Sequence, residues 1–152
     1  MIKGLYEAHL PVSNLKQSID FYKNLGLEMA YQTEKLVFFW IKKGKSWIGL
    51  WETEKSTTPY HPSLRHIALQ IDIESMQDVK EWLEQKGVKI NTNFGFPPQQ
   101  QPLVLPNYPN AHAAIYFLDP DGNSLELIAP LNLDCKEPFE MMTLEEWNKQ
   151  NR

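Results

Sequence analysis

The 152-residue chain repeats itself, and the repetition limits its fold more than any other feature of the sequence. At an offset of 59 residues, Glu7, Leu10 and Val12 fall on His66, Leu69 and Ile71. At an offset of 77, Ile48-Gly49-Leu50 falls on Leu125-Glu126-Leu127; with small gaps, Tyr22 falls on Trp82 and Gly26 on Gly87. A unit of about 55 to 70 residues buries too little surface to be stable by itself. One domain built from two paired modules is therefore expected, module one at about residues 1–55 and module two at about 63–130.

Local patterning assigns the elements. Leu5 to Val12 alternates apolar and polar residues as a strand does, and Leu15, Ile19, Tyr22 and Leu25 recur at helical spacing between a Ser13-Asn14 cap and Gly26. Leu36 to Ile41 and Trp47 to Glu52 read as strands joined by the turn Lys42-Lys43-Gly44-Lys45. The order then returns: a strand at Arg65 to Ile71, a helix at Ser75 to Gln85 closed by Gly87, and strands at Ala113 to Leu118 and Ser124 to Ile128. Asp119-Pro120-Asp121-Gly122 between that last pair fits a type I turn. The class is α+β. Asn93 to Asn110, with five prolines and Gln99-Gln100-Gln101, reads as a lid or a disordered span. Residues 131–152 form a C-terminal extension, in which Thr143 and Glu146 have capping-box spacing for a short helix.

Fifteen basic against nineteen acidic residues give a net charge of −4, which argues against nucleic acid as a partner. Met1-Ile2-Lys3-Gly4 opens without a long apolar run, so neither a secretory leader nor a membrane span is expected. The single cysteine, Cys135, forms no internal disulfide and has no neighbouring base to make it a nucleophile. These features suit a cytoplasmic protein.

Polar residues that interrupt apolar strands are the candidates for chemistry. The duplication matches Glu7 with His66 and Gly49 with Glu126, so three of four equivalent positions carry a potential metal ligand. One strand histidine is more often a hydrogen-bonded core residue, but three intrusions at symmetry-related sites favour a shared polar or metal pocket. Glu7 and His9 share a face of the first strand. Tyr116 and His112 lie on one face of a later strand and are candidates for lining a substrate cleft. Phe38, Phe39, Trp40, Trp47 and Trp51 alternate between faces, so some pack the core and others line an apolar cleft. His61, among prolines, reads as a linker residue.

Three spaced motifs carry a resemblance: Leu10-Pro11-Val12-Ser13-Asn14-Leu15 with Ser18-Ile19-Asp20-Phe21-Tyr22 and Leu25-Gly26-Leu27; His66-Ile67-Ala68-Leu69; and Phe117 to Asn123 with Leu125-Glu126-Leu127. Over about residues 3 to 130 the chain resembles the glyoxalase/bleomycin-resistance/extradiol-dioxygenase family, the vicinal oxygen chelate superfamily. The resemblance implies two paired βαβββ modules whose curled sheet surrounds a cleft. It further implies a divalent metal (manganese, iron, nickel, zinc or magnesium) held by strand residues, and a homodimer that exchanges modules in many members.

Position by position, His66 and Glu126 match the second-module ligands. Glu7 stands where the first-strand histidine is usual, and His9 is the alternative to it. Gly49 stands where members with a fourth ligand carry glutamate. The implied function is a metal-dependent enzyme acting on a small oxygenated substrate by bidentate chelation, as a lyase, isomerase, dioxygenase or thiol transferase. Glu126, Glu7 and Tyr116 are its candidate catalytic residues. The alternative is a non-catalytic protein of the bleomycin-resistance type that sequesters a drug or metabolite.

Overall fold

The computed structural model describes residue 4 and residues 7–54, 65–92, 96–106, 111–131 and 139–151, with only the backbone of Glu7. His61, Cys135 and the Glu7 side chain lie outside the described residues. The chain is α+β, with two mixed sheets of four and five strands. It forms two compact units, one of residues 1–61 with 119–123 and one of residues 62–118 with 124–152. Among the described residues no helix is long and apolar enough to cross a membrane.

In the first unit, β1 (Glu7–Val12), β2 (Met29–Gln32), β3 (Leu36–Lys42) and β4 (Ser46–Glu52) form a sheet of order β1-β4-β3-β2, and α1 (Leu15–Asn24) covers one face. Asn14 caps α1 by accepting the Gln17 amide at 2.9 Å. The helix ends where Gly26 takes a φ of 95°, and the Gly26 and Leu27 amides bond back to Lys23 and Tyr22. Leu10, Val12, Val37, Phe39, Ile48 and Leu50 point to the helix side and are buried with Leu15, Ile19 and Tyr22. The alternation of strands has sorted the aromatic run: Phe39 is core, while Phe38, Trp40, Trp47 and Trp51 stand on the opposite face.

The turn at residues 119–123 belongs to this unit. Gly122 donates to the Asp119 carbonyl at 3.0 Å, the i to i+3 bond expected of the turn. The Asp119 carboxylate is buried, accepting from the Asp121 and Asn123 amides, the Asn123 side-chain amide and the Tyr22 hydroxyl. Burial pushes its pKa up, and the hydrogen bonds it accepts pull against that.

The second unit repeats the plan with β5 (His66–Gln70), α2 (Val79–Gln85), β6 (Leu103–Leu105), β7 (His112–Leu118) and β8 (Ser124–Pro130). Its sheet has the order β5-β8-β7-β6-β9, where β9 is Met142–Thr143. The cap of α2 copies that of α1: Gly87, at φ 69°, donates to Glu84 while Val88 donates to Leu83. That correspondence corrects the helix alignment by one residue. Tyr22 is equivalent to Leu83, both fully buried, whereas Trp82 is 36% exposed.

The expected helix over Ser75 to Gln85 is also divided, into a 3₁₀ segment at Ile73–Gln77 and α2. Its apolar residues explain the division. Ile73, Met76 and Val79 repeat every three residues, the 3₁₀ period, and only the step from Val79 to Leu83 has α-helical spacing.

The described part of the proline-rich span is built into the sheet. β6 pairs with β7, and β9 adds to the other edge of β6. Gln101 pins this segment: its side-chain amide donates to the Asn91 and Phe96 carbonyls at 2.8 and 2.9 Å, and its oxygen accepts the Tyr116 amide at 2.8 Å. Beyond β9, the Thr143 and Glu146 capping box forms and opens α3 (Leu144–Gln150).

Candidate functional site

The strand registers reproduce both offsets of the duplication. In the first sheet Glu7 lies beside Trp47 and His9 beside Gly49; in the second, His66 lies beside Ser124 and Ala68 beside Glu126. On the other side of β8, Tyr116 lies directly opposite Glu126. Glu126 therefore stands between a small residue on β5 and an aromatic one on β7. Its backbone neighbours Leu125 and Leu127 turn to the core face, which leaves Glu126 as a carboxylate only 5% exposed.

Four of the residues singled out from sequence meet there. His66 Nε2 is 3.0 Å from Glu126 Oε2, and His112 Nε2 is 4.0 Å from Oε1. His112, Ala114 and Tyr116 share one face of β7, and Ala114 carries nothing beyond Cβ to hold His112 and Glu126 apart. The Tyr116 ring lies 6.5 Å from that of His66 and is stacked on Phe96 at 6.2 Å. Burial first, then the negative charge of Glu126 and a hydrogen bond to it, push the Tyr116 phenol well above its ordinary pKa. Tyr116 is thus held as a neutral hydrogen-bond donor.

That shift has a spectroscopic consequence. The Tyr116→Phe variant is expected to release the same number of tyrosinates as the parent protein up to about pH 11, past the ordinary phenol range, when followed at 295 nm. One phenol fewer in the variant contradicts the assignment. The linked effect on stability has a definite sign: a raised folded pKa favours the fold below about pH 10. That contribution is lost as pH rises toward the folded value, and Tyr116→Phe removes the dependence.

Ser124 was not anticipated, although it lies two residues before Glu126 on the same face. Its hydroxyl is 3.0 Å from His66 Nδ1. A hydroxyl can donate or accept, so it serves either tautomer of His66. With Nδ1–H donated to Ser124, the Nε2 lone pair is turned toward Glu126, the arrangement that a metal-binding imidazole needs.

The donor set fits a divalent cation in a second way. Glu126 Oε1 is buried and accepts no hydrogen bond, an expensive state for a carboxylate oxygen that a cation beside it relieves. Among the described residues no group of three His, Cys, Asp or Glu side chains is arranged to hold a metal. His66 and Glu126 are two donors, and further ligands have to come from elsewhere.

In the first unit, His9 lies against Phe38 and Trp51, with ring centroids 5.8 and 6.0 Å away. Its Nδ1 accepts the Trp51 indole N–H at 2.7 Å. Tyr31, Trp40 and Trp47 extend the aromatic face around Phe38, with ring separations of 5.7 to 5.9 Å. The backbone of Glu7 places that residue on the same face of β1 as His9.

Comparison with known proteins agrees with this architecture. The profile of the glyoxalase/bleomycin resistance protein/dioxygenase superfamily matches residues 4–127. The chain is 30% identical over 131 residues to the metallothiol transferase FosB of Staphylococcus haemolyticus, covering 84% of each chain. It is 28% identical over 132 residues to the glutathione transferase FosA of Serratia marcescens, covering 84% of this chain and 81% of that one. Among solved structures it is similar to the fosfomycin resistance protein FosX of Listeria monocytogenes, complexed with Mn(II) and sulfate. There the TM-score is 0.62 at 27% identity, with both chains fully covered. The sequence motifs, the duplicated sheets and these matches agree: the chain belongs to the glyoxalase/bleomycin resistance protein/dioxygenase superfamily.

Proposed function

We propose that the protein is a metal-dependent thiol transferase of the fosfomycin-resistance type, opening a small, oxygen-rich, strained-ring substrate by adding a thiol. The observation that carries this reading is the buried Glu126 carboxylate, with Oε2 facing the His66 imidazole and Oε1 accepting no hydrogen bond. The names of FosB and FosA, and the Mn(II) in FosX, supply the reaction class. His66 and Glu126 would hold the metal, and Glu7 of β1 is the first-module donor that the family resemblance implies, within a homodimer. Manganese suits a carboxylate-rich set.

When bound, the metal supplies positive charge that holds substrate oxygens and favours charge developing on them. The protein's own groups act around it. Ser124 orients His66, and Ala68 leaves room beside Glu126. Tyr116, kept neutral, turns its one O–H from Glu126 to the ring oxygen as negative charge grows there. In the transfer, thiolate sulfur attacks a ring carbon, the C–S bond forms as the C–O bond breaks, and the freed oxygen takes up a proton equivalent to the one lost by the thiol. His112 lines the pocket beside Glu126.

Incubation with fosfomycin, Mn(II) and either glutathione or L-cysteine, followed by ³¹P NMR, tests the proposal. A thiol adduct that requires both metal and thiol is the expected result. No product with either thiol contradicts it. The aromatic face of the first unit favours a second reading, a drug-sequestering protein, for which the same spectra would show a shifted but unconverted resonance.

A further inference from the structure

A side chain completes the strand ladder beside Tyr116. β6 pairs with β7 from His112 to Ala114, and further along a bridge joins Ile90 to Phe117. In the register of that bridge Asn91 is opposite Tyr116, and its amide donates to the Tyr116 carbonyl at 2.8 Å. Between the other two main-chain groups, the Tyr116 amide and the Asn91 carbonyl, stands the Gln101 carboxamide. Its oxygen accepts from Tyr116 and its nitrogen donates to Asn91, both at 2.8 Å. It acts as an inserted peptide group with one donor to spare, and that donor goes to the Phe96 carbonyl at 2.9 Å.

Tyr116 therefore turns its N–H and its C=O away from β8. Its pairing with Glu126 is of the non-hydrogen-bonded kind, in which facing side chains approach most closely. Phe96, whose carbonyl the same carboxamide holds, is stacked on the Tyr116 ring, and both pack with Leu103, Leu105 and Ala114. Gln101 is 1% exposed, and one orientation of its amide serves these partners; the reverse sets NH₂ against N–H and oxygen against two carbonyls. A buried polar group so satisfied makes its surroundings rigid. The proposed reaction asks for such rigidity, because the Tyr116 hydroxyl has to turn from Glu126 to a substrate oxygen while its ring stays in place.

We propose that Gln101 is a positioning residue of the second-unit site, holding the Tyr116 ring opposite Glu126 and Phe96 against that ring so that the phenol keeps its aim on the substrate. The substrate part rests on the function proposed above, whereas the hold on the two rings stands without it.

NMR of the full chain tests the hold directly. A coupling across the hydrogen bond from the Tyr116 amide ¹⁵N to the Gln101 ¹³Cδ is expected, with nuclear Overhauser effects between the Phe96 and Tyr116 rings that disappear in Gln101→Met. Absence of the coupling, or Overhauser effects that survive in the variant, overturns the proposal. A double-mutant cycle in the adduct assay with fosfomycin, Mn(II) and the active thiol tests the role. Gln101→Met should lower kcat about tenfold, as expected when one hydrogen bond to developing charge is misplaced, with the fosfomycin KM and the Mn(II) Kd within about threefold of the parent. Adding Tyr116→Phe should then cost less than about twofold more, because Gln101 acts through the phenol. Losses that multiply independently, or a parental kcat in Gln101→Met, overturn the proposal. Gln101→Glu keeps an acceptor for the Tyr116 amide while setting a carboxylate against the Phe96 carbonyl, and it takes the same measurements if Gln101→Met does not fold. Should the parent protein form no adduct, the proposed function fails, and the couplings and Overhauser effects still decide whether Gln101 holds the two rings.

Discussion

Glu126→Gln is expected to raise the melting temperature of the metal-free protein slightly and to abolish the rise that Mn(II) produces in the parent. The two effects have one cause. In metal-free protein the carboxylate is buried with one oxygen that accepts no hydrogen bond, and a neutral amide of the same shape takes the formal charge out of that site. In the parent, Mn(II) at a hundred times its dissociation constant should add about 2.7 kcal/mol. The variant loses that increment because an amide oxygen carries no formal charge to offer the metal. Calorimetry with and without Mn(II) reads both effects. A merely structural Glu126 gives the opposite pattern, with a destabilised variant and an unchanged response to metal.

The second large effect lies in the first unit. Asp119→Ala should cost about 3 kcal/mol and lower the melting temperature by about 9 °C, because it takes the acceptor from four hydrogen bonds, one of them from the fully buried Tyr22. Asp119→Asn keeps the shape but turns an NH₂ group toward donors, so it should cost nearly as much. Tyr22→Phe removes one of the four bonds and should cost about 1 kcal/mol. If Asp119→Asn proves neutral in thermal unfolding, the carboxylate is not serving as the common acceptor.

The duplication makes much of this fold legible in the sequence. Offsets of 59 and 77 residues predict which strand positions are equivalent, and the registers Glu7 beside Trp47 and His66 beside Ser124 honour both. Gly26 and Gly87 mark equivalent helix ends because a left-handed backbone position demands glycine in each copy. His66 and Glu126 stood out because a polar residue in an apolar strand needs a partner.

What escaped notice did so for physical reasons. β6 is only three residues long and sits among prolines, so its strand character comes from pairing with β7 and β9 rather than from local pattern. The 3₁₀ segment before α2 was hidden by an apolar period close to that of an α-helix. Gln101 looked like part of a polar run, yet its buried amide bonds three backbone groups that no local pattern connects. Ser124 and Trp51 act through the rings of His66 and His9, and the partner of a side chain across a sheet cannot be read until register is known.

The central claim is that His66 and Glu126 hold a divalent metal. Pulsed electron paramagnetic resonance of the Mn(II)-loaded protein tests it most directly, through nuclear modulation from a coordinated imidazole nitrogen. The account predicts this modulation in the parent protein and its loss in His66→Gln. Modulation that persists in His66→Gln, or a parent protein that takes up no Mn(II), would contradict it.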